Sequence, residues 1–521
     1  MKAERKFKNN YESYLLLSFI IISICIISFV LFKSPQLGVA DQGDFDRVMN
    51  SSGLSLLDSY SSNSKFNRFY NYIITDYIIT DNFDYPITIV SSSLTWLIAL
   101  ISFICKLLNQ NIFKTQYLAV AYSILYIFSI TMILKYLNIK NKFKLTLISL
   151  LTLFILFDGN YILWFNSLYG EPMMLTTLLI FIATCSYYID YKYVKKNTDK
   201  LTSKLVLIIL AGFLLLGSKM QLLTALPFLI VLISKILIDN CNLLSKRNFI
   251  LLIVLFLIMI IYPLKINAVN TNISKDTQYN SVFFGILNES KTPKQDLIDL
   301  GLNPDMAVEA GKHSYLDESE YVKYVPKTEI TEQEFYSKMK NSKLAKFYLT
   351  HPIRLINGLK YTASKAFYTG TPLGKTSIKY SKEPIIEFNR FTNWSYFREN
   401  FIPKKLSFII ATFIIVFLFS LYKYFKNKNN LELRNKIFLL WIIMLIGTVQ
   451  FPMPFVGNGK ADTAKQLFLF NFIFDILLII IACYIFSKIL TLYKLCYSRK
   501  FKFSMKKIIL FISNIQNLML L

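Results

Sequence analysis

The chain has 521 residues, of which 54% are apolar, 16% aromatic and 17% charged. Most apolar residues fall in runs of about 17 to 25, long enough to cross a bilayer core as helices, so an ordinary soluble domain is excluded. The net charge of +26 lies mainly in short links between these runs rather than on one soluble face. This distribution argues against a nucleic-acid-binding protein. It is typical of a membrane protein, in which basic links mark the cytoplasmic side.

In chain order, the apolar runs are 15–32, 87–105, 117–134, 145–157, 172–190, 205–217, 222–238, 249–264, 405–422, 438–452 and 466–489. They predict an all-α polytopic membrane protein with about 10 to 12 transmembrane helices. Basic links are typically cytoplasmic, which places both termini and the links 135–144, 191–204 and 423–436 inside. The links 33–86, 158–171, 217–221, 265–403 and 451–465 are therefore predicted to face outward.

One crossing does not fit this topology. The link 33–86 is predicted outside and the link 135–144 inside, yet two apolar runs separate them. Either 87–105 or 117–134 is therefore re-entrant or lies along the membrane surface, and the sequence does not decide between them.

Four regions follow from this reading. Residues 1–264 form an N-terminal transmembrane module that includes the first outer loop, 33–86. Residues 265–403 have mixed charge and helical patterns, which predict a mostly helical extracytoplasmic domain. Residues 404–490 form the C-terminal transmembrane helices, and 491–521 are predicted to be a basic cytoplasmic tail.

The first outer loop carries unusually dense charge in the segment "ADQGDFDRVM". It holds Asp41, Asp44, Asp46 and Arg47. Charge close to a bilayer is costly unless it has a function or contacts water, so these residues are candidates for a site. Asp44 and Asp46 also have the spacing of a pair that binds a divalent metal if the segment is extended. The favoured interpretation, however, is that the protein uses no cofactor.

Three other outward links carry polar residues that topology does not explain. These residues are Asn166, Tyr169 and Glu171 in "WFNSLYGEPMM", Lys219 and Gln221 in "LGSKMQ", and Lys460, Asp462, Lys465 and Gln466 in "GNGKADTAKQ". Each link has a structural alternative: helix capping for the first, a snorkelling lysine for the second, and a flexible loop with a cap for the third. Together, acids and lysines at one membrane face suit a phosphorylated sugar lipid.

Several polar and aromatic residues are predicted to be structural. Asn471 and Asp475 share one face of the last apolar run, so they are expected to satisfy each other or a neighbouring helix. Trp164 and Trp394 are expected in the aromatic belt at the membrane interface. The two histidines, His313 and His351, stand alone in the outer region and are not expected to act in catalysis.

Four motifs carry a resemblance to a known family. The segments "ADQGDFDRVM", "FNSLYGEPMM", "YNSVFFGIL" (279–287) and "GNGKADTAKQLFLFNFIFD" (457–475) resemble those of the bacterial glycan-biosynthesis hexose transferases (WsfD-like). That group is similar to the GT-C superfamily of polytopic glycosyltransferases. Gln466 departs from the pattern, because similar proteins are expected to have a histidine there.

The resemblance implies an enzyme that takes a hexose from a polyprenyl-phosphate donor at the outer leaflet of the cell membrane. The acceptor is a cell-surface glycan or another extracytoplasmic molecule, and membrane lipid is a further partner. A carboxylate of the first loop is the implied catalyst, with Asp44 as general base and Asp41 as second choice. Glu171 orients the sugar or shares the base role, and Lys219, Lys460 and Arg47 neutralise the phosphate.

Two other functions remain open at this stage. A flippase or transporter of lipid-linked glycans would also need polar groups, but it would favour inverted repeats and polar groups near the midplane, which are not evident. A binding or assembly factor acting through 265–403 would leave the other polar links unexplained.

Overall fold

The structure, a computed structural model, describes residues 2–61, 67–80, 88, 91–269 and 271–497. About 70% of it is helical, which confirms the predicted all-α polytopic class. Most of the predicted basic tail, from residue 498 onward, lies outside the described residues.

The α-helices, in chain order, are α1 Lys2–Ile27, α2 Phe45–Ser52, α3 Asp58–Ser61, α4 Ser93–Leu107, α5 Thr115–Tyr136, α6 Lys142–Leu156, α7 Gly159–Ile162, α8 Glu171–Ile189, α9 Leu201–Leu216, α10 Leu226–Ile238, α11 Lys246–Val269, α12 Thr271–Tyr279, α13 Pro293–Asp299, α14 Glu329–Thr331, α15 Asn341–Thr350, α16 Pro352–Lys365, α17 Asn393–Phe401, α18 Leu406–Lys426, α19 Leu431–Gln450, α20 Met453–Asn458, α21 Thr463–Gln466 and α22 Phe468–Tyr497. Short 3₁₀ or π turns extend several of them, such as Ser28–Phe32 after α1 and Asp190–Val194 after α8. The three strands are β1 Leu54–Leu56, β2 Asp76–Ile79 and β3 Ile112–Lys114.

Eight helices of the described chain are long and apolar enough to cross a membrane, or nine if the bent pair α6 and α7 forms one span. The eight spans are Tyr11–Phe32, Thr115–Tyr136, Glu171–Val194, Met220–Ile238, Lys246–Ala268, Leu406–Lys426, Leu431–Asn458 and Phe468–Leu490. Helices α4 and α9 are apolar but shorter. Buried apolar side chains from most of these helices form one large core, and α8 is the most enclosed span, with 83% of its apolar window buried.

Helix α4 begins and ends at the same end of the bundle. Its first amide, of Ser93, donates to the carbonyl of Gly217 at 2.8 Å. The strand that follows it, β3, pairs antiparallel with β2 of the first loop, with Asp76 opposite Lys114. Both ends of this helix therefore lie at the end of the bundle that carries the first loop, and its Leu100 and Phe103 are exposed, whereas α5 is long and apolar enough to cross. This geometry accounts for the crossing that the sequence left undecided.

The first loop and its helix α2 are organised by a small antiparallel sheet. Its strand order is β1-β2-β3, with Leu54 opposite Ile79 and Ile78 opposite Ile112. Strand β2 is central and alternates buried and half-buried side chains. A sheet that joins residues on both sides of α4 holds the loop as one unit against the helix ends.

Residues 271–403 cover the end of the bundle that carries the first loop. A cluster of buried apolar residues in this region includes Tyr279, Phe283 and Phe335. Arg390 reaches the carbonyl oxygens that follow α1, at 2.8 Å from Lys33 and 3.1 Å from Pro35. The region is therefore packed onto the membrane-spanning helices through polar backbone contacts.

A second contact is an extended strap at residues 370–376. The amide of Ala40 donates to the carbonyl of Gly374 at 2.9 Å, and the amide of Gly38 donates to that of Lys375 at 3.1 Å. A Cβ on Gly374 would lie 1.8 Å from the carbonyl oxygen of Asn71, so only glycine permits this approach. The strap fixes the backbone immediately before the first-loop acids.

The side chain of Lys375 is buried within this strap. Its ammonium donates to the carbonyls of Thr371 and Leu373 at 2.9 and 2.6 Å. Burial lowers the pKa of Lys375 to about 7, and Glu387 opposes that shift. Between that pKa and the ordinary value of 10.5, the unfolded chain binds more protons than the folded chain.

Stability of the wild-type chain is therefore expected to rise with pH between about 7 and 10.5, relative to Lys375→Met. The sign follows because burial of a charged ammonium lowers the stability of the folded chain. This cost disappears as the pH rises and the amine becomes neutral. Melting temperatures of both proteins in detergent, measured at the two ends of this range, test the expectation. Parallel changes in the two proteins would contradict it.

A buried ion pair joins α17 to α22. Arg398 and Asp475 are both fully buried, with 2.6 Å between guanidinium Nη1 and carboxylate Oδ2. The same oxygen accepts from Tyr161 at 2.8 Å and from Trp394 at 2.9 Å. Trp394 is thus a buried donor, and its predicted place in the interface belt is wrong. Of the two expectations for Asp475, a partner on a neighbouring helix is the one observed.

Asn471, one turn before Asp475 on α22, has partners of its own. Its side-chain oxygen accepts from the amide of Phe367 at 3.0 Å, and its side-chain nitrogen donates to the carbonyl of Tyr368 at 3.3 Å. Because both partners are backbone groups just after α16, this residue fixes the loop between α16 and α17 to the bundle.

Candidate functional site

Four links that are distant in sequence meet at one end of the bundle. This end, called the site face below, carries the loop before α2, the link between α7 and α8, the link between α9 and α10, and the link between α20 and α22. Side chains from all four lie close together, so the predicted convergence of acids and lysines is present in the structure.

Asp41 organises the first loop. Its Oδ1 accepts hydrogen bonds from the backbone amides of Gly43, Asp44 and Phe45 at 2.8, 3.0 and 3.2 Å. Its Oδ2 lies 3.4 Å from Nε of Arg68, and the side chain is 1% exposed. Burial raises the pKa of Asp41, against the lowering effect of the amides and Arg68. Asp41 therefore caps the turn into α2 and holds the backbone that presents Asp44.

Asp44 is paired with Lys465 from the opposite end of the chain. The distance from Lys465 Nζ to Asp44 Oδ2 is 2.6 Å, and Arg47 lies 3.7 Å from the other oxygen. Burial would raise the pKa of Asp44, but the positive charges of Lys465, Lys219 and Arg47 outweigh it and hold the pKa well below its usual range. The Asp44 side chain is 37% exposed, so solvent and solutes can reach this charged carboxylate.

Further polar groups extend this pair. Gln42 accepts from Lys465 at 3.4 Å and donates to Asp462 at 2.5 Å. The Lys465 ammonium also lies 4.7 Å from the ring centroid of Tyr169. Tyr169 itself is buried, and its hydroxyl donates to the carbonyl of Ala40 at 2.8 Å. The ring thus supports both Lys465 and the first loop.

A second ion pair stands beside the first. Glu171, the first residue of α8, is fully buried and lies 2.5 Å from the ammonium of Lys219. Its other oxygen, Oε2, has no hydrogen-bond partner among the described residues. Lys219 is 26% exposed and also lowers the pKa of Asp44. Lys219 therefore interacts electrostatically with both acids, Glu171 and Asp44.

Amide side chains connect the remaining links. Gln221 donates to Gln450 at 2.7 Å and to the carbonyl of Gln466 at 3.4 Å. Gln450 in turn donates to Thr224 at 2.9 Å and is fully buried. This network positions the backbone next to Lys465. Gln450 was missed by sequence reasoning because it lies inside the apolar run 438–452, between Val449 and Phe451.

Other predicted site residues lie away from the two ion pairs. Asn166 is buried and donates to the carbonyls of Leu31 and Leu37, so it joins backbone segments. Asp46 pairs with Arg68 at 2.6 Å. Lys460 pairs with Glu289 at 3.0 Å and lies beside the Tyr361 ring.

The glycines near Lys460 have a structural use. A Cβ on Gly459, which has φ +61°, would lie 2.3 Å from the carbonyl oxygen of Asn280. Asn280 also donates to Asn458 at 2.8 Å. Gly459 therefore allows the segment 279–287 to pack against the last link.

The metal-pair interpretation required Asp44 and Asp46 to lie on an extended segment. Helix α2 begins at Phe45 between them, and the two carboxylates contact different cations, Lys465 and Arg68. In the part of the chain that is described, no group of three or more His, Cys, Asp and Glu side chains could hold a metal ion.

His313 and Tyr315 also approach the site from the region 271–403. Burial lowers the pKa of His313, and the charge of Asp462 acts in the opposite direction. The pKa of Tyr315 is raised by burial and by nearby carboxylates that include Asp462 and Asp44. No motif marks these residues, and only the packing of this region onto the last link reveals them.

The fold and the site define a polytopic membrane protein with a charged, partly buried site at one end of its helices. The family model for the YfdI N-terminal transmembrane domain matches residues 2–508, and the chain belongs to this family. The family is one of GT-C-like membrane glycosyltransferases. No curated protein and no solved structure matches the chain.

Proposed function

We propose that this protein transfers a hexose from a polyprenyl-phosphate donor to a cell-surface glycan or another extracytoplasmic acceptor. The observation that carries the proposal is the pair Asp44 and Lys465, a charged carboxylate and a lysine joined at 2.6 Å within a GT-C-like family fold. Glycosyl transfer from a sugar phosphate needs two groups. A carboxylate takes the proton of the acceptor hydroxyl, and a cation neutralises the charge of the leaving phosphate.

The lysines support a phosphate in the site. Lys465 is 10% exposed and Lys219 is 26% exposed, and each faces a carboxylate at hydrogen-bond distance. A donor phosphate near both ammonium groups would compete with Asp44 for Lys465. This competition would raise the basicity of Asp44 when donor is bound, because Lys465 is one of the charges that lower its pKa.

The acceptor hydroxyl oxygen forms a bond to the hexose anomeric carbon, and the bond from that carbon to the phosphate oxygen breaks. The hydroxyl proton goes to the Asp44 carboxylate, and the bonding electrons leave with the phosphate, whose charge Lys465 and Lys219 neutralise. Asp41 acts as a positioning residue, since its Oδ1 holds the amides around Asp44.

Transfer in detergent tests the proposal against the flippase alternative. Purified full-length chain is mixed with a polyprenyl-phosphate hexose and with acceptor lipids extracted from cells that lack the protein. A product heavier by one hexose is expected, because bond formation does not need two membrane sides. A surface glycan that gains the hexose only in intact cells, with no product in detergent, would favour transport and overturn the enzyme proposal.

Removing Lys465 should change both rate and pH dependence. Lys465→Met is expected to lower the transfer rate by about 10² because the phosphate loses a donor. The pKa of Asp44 would rise without this charge, so the acidic limb of the pH–rate profile should move to higher pH. Rates of the variant are measured from acid to neutral pH beside Lys338→Met, which removes an exposed lysine of the region 271–403. An unshifted limb would contradict the pairing.

A further inference from the structure

A polar cavity lies at the end of the bundle opposite the site face. It has a volume of about 1140 Å³ and is formed by the turn after α8 and the link between α18 and α19. Helix α8 begins at Glu171 in the site and its span ends at Val194 beside the cavity. At the helical rise, the two sites are roughly 35 Å apart, so the cavity is not part of the transfer site.

Lysines dominate the charge of this cavity, which is called the lysine pocket below. The charged residues that line it are Lys192, Lys196, Lys426, Lys428 and Glu432. Glu432 is held by Lys436 at 2.5 Å and by Asn138 at 3.2 Å, so its charge is already matched by a residue outside the lining. The four lysines are left with a clear excess of positive charge.

The lysines differ in how they are held. Lys192 donates to the carbonyl of Asp239 at 3.0 Å and to the side chain of Asn240 at 2.6 Å. Lys426 donates to the Tyr422 hydroxyl at 3.1 Å. Lys196 and Lys428 are exposed, and within the described ranges neither forms an ion pair. These two ammonium groups are therefore available to an anion.

Two other features favour a negatively charged group here. Helix α19 has 20 residues and starts at Leu431 in the pocket lining, with its first turn capped by Asn430, so its positive end faces the pocket. Phe425 and Leu431, also in the lining, are 58% and 52% exposed. Because these apolar side chains stand at the ends of two spans, the pocket lies at the level where lipid headgroups meet the protein.

We propose that the lysine pocket binds a phosphate group, carried by an anionic lipid headgroup or present as free phosphate. Lys196 and Lys428 contact the phosphate oxygens, Lys192 adds charge from the rear of the pocket, and Phe425 and Leu431 pack beside a lipid chain when one is present. Basic pockets between membrane helices are suited to such headgroups. This site is separate from hexose transfer and does not depend on it.

The test uses full-length protein purified in detergent, with K196Q/K428Q as the variant and K140Q/K200Q as the control. All four lysines are exposed and lie at the same end of the bundle, and the control pair lies outside the pocket lining. Retention of phosphatidylglycerol and of zwitterionic phosphatidylcholine is measured by native mass spectrometry. Binding of inorganic phosphate is measured separately by calorimetry.

The wild type and the control pair are expected to retain phosphatidylglycerol over phosphatidylcholine, with affinity about thirtyfold weaker in K196Q/K428Q. This result supports the lipid headgroup as the source. Binding of inorganic phosphate with the same loss in that variant, and no preference between the lipids, supports free phosphate. An equal loss in both double variants, or no binding of either probe by the wild type, overturns the proposal.

Discussion

Asp44→Asn is expected to lower hexosyl transfer by about 10² to 10⁴, the usual contribution of a general base. Asparagine keeps the shape and one acceptor oxygen of the side chain, but it cannot take the hydroxyl proton. The rate is measured in detergent with saturating donor, so that a change in donor affinity does not hide the chemical step. A loss confined to the rate at saturation is the expected pattern.

Two comparisons make this prediction specific. Asp305→Asn removes the same charge at an exposed position of the region 271–403, and it should transfer at the wild-type rate. Asp44→Asn leaves Lys465 without its partner, so protein yield and melting temperature are measured for each variant. Full activity of a well-folded Asp44→Asn protein would exclude Asp44 as the base and direct attention to Glu171.

Asp41→Ala has a different expected signature. It removes the oxygen that holds three backbone amides, so it should loosen the turn into α2 and lower both activity and stability, whereas Asp41→Asn keeps an acceptor oxygen and should remain stable. Glutamate at this position would not restore the cap, because its longer side chain shifts the oxygen. A stable Asp41→Asn protein that lacks activity would instead assign Asp41 to the chemistry.

The apolar runs predicted most of the membrane-spanning helices because length and hydropathy alone define such a segment. They could not predict that both ends of α4 lie at one end of the bundle, since its residues are as apolar as those of a true span. Its position depends on Ser93 meeting the carbonyl of Gly217 and on β3 pairing with β2. Both are contacts between distant residues, which a local pattern does not contain.

The same distinction applies to the site. Density of charge near the bilayer pointed to Asp44, Glu171, Lys219 and Lys465, and the structure brings these residues together. The sign of a charge did not show which partner each residue would pair with. Lys460 pairs with Glu289 of the region 271–403 and not with the first-loop acids. The capping role of Asp41 was equally hidden, because its partners are backbone amides whose positions depend on the turn.

The buried pair between α17 and α22 should control the stability of the whole bundle. Arg398→Met is expected to lower the free energy of unfolding by about 3–5 kcal/mol, because it leaves the Asp475 carboxylate buried without a countercharge. Asp475→Leu should cost a similar amount by stranding the guanidinium. Thermal denaturation in detergent, followed by loss of the monodisperse peak in size-exclusion chromatography, measures both single variants.

The double variant R398M/D475L separates the cost of an unpaired charge from the value of the pair itself. Both charges are then absent, so it should be more stable than either single variant, although Trp394 and Tyr161 lose their shared acceptor. If the losses of the two single variants simply add in the double variant, the pair is not coupled and the stability of this region rests on packing. If the double variant regains stability, the main role of the ion pair is to fix the position of α17 on α22. Its contribution to the stability of that contact is then small.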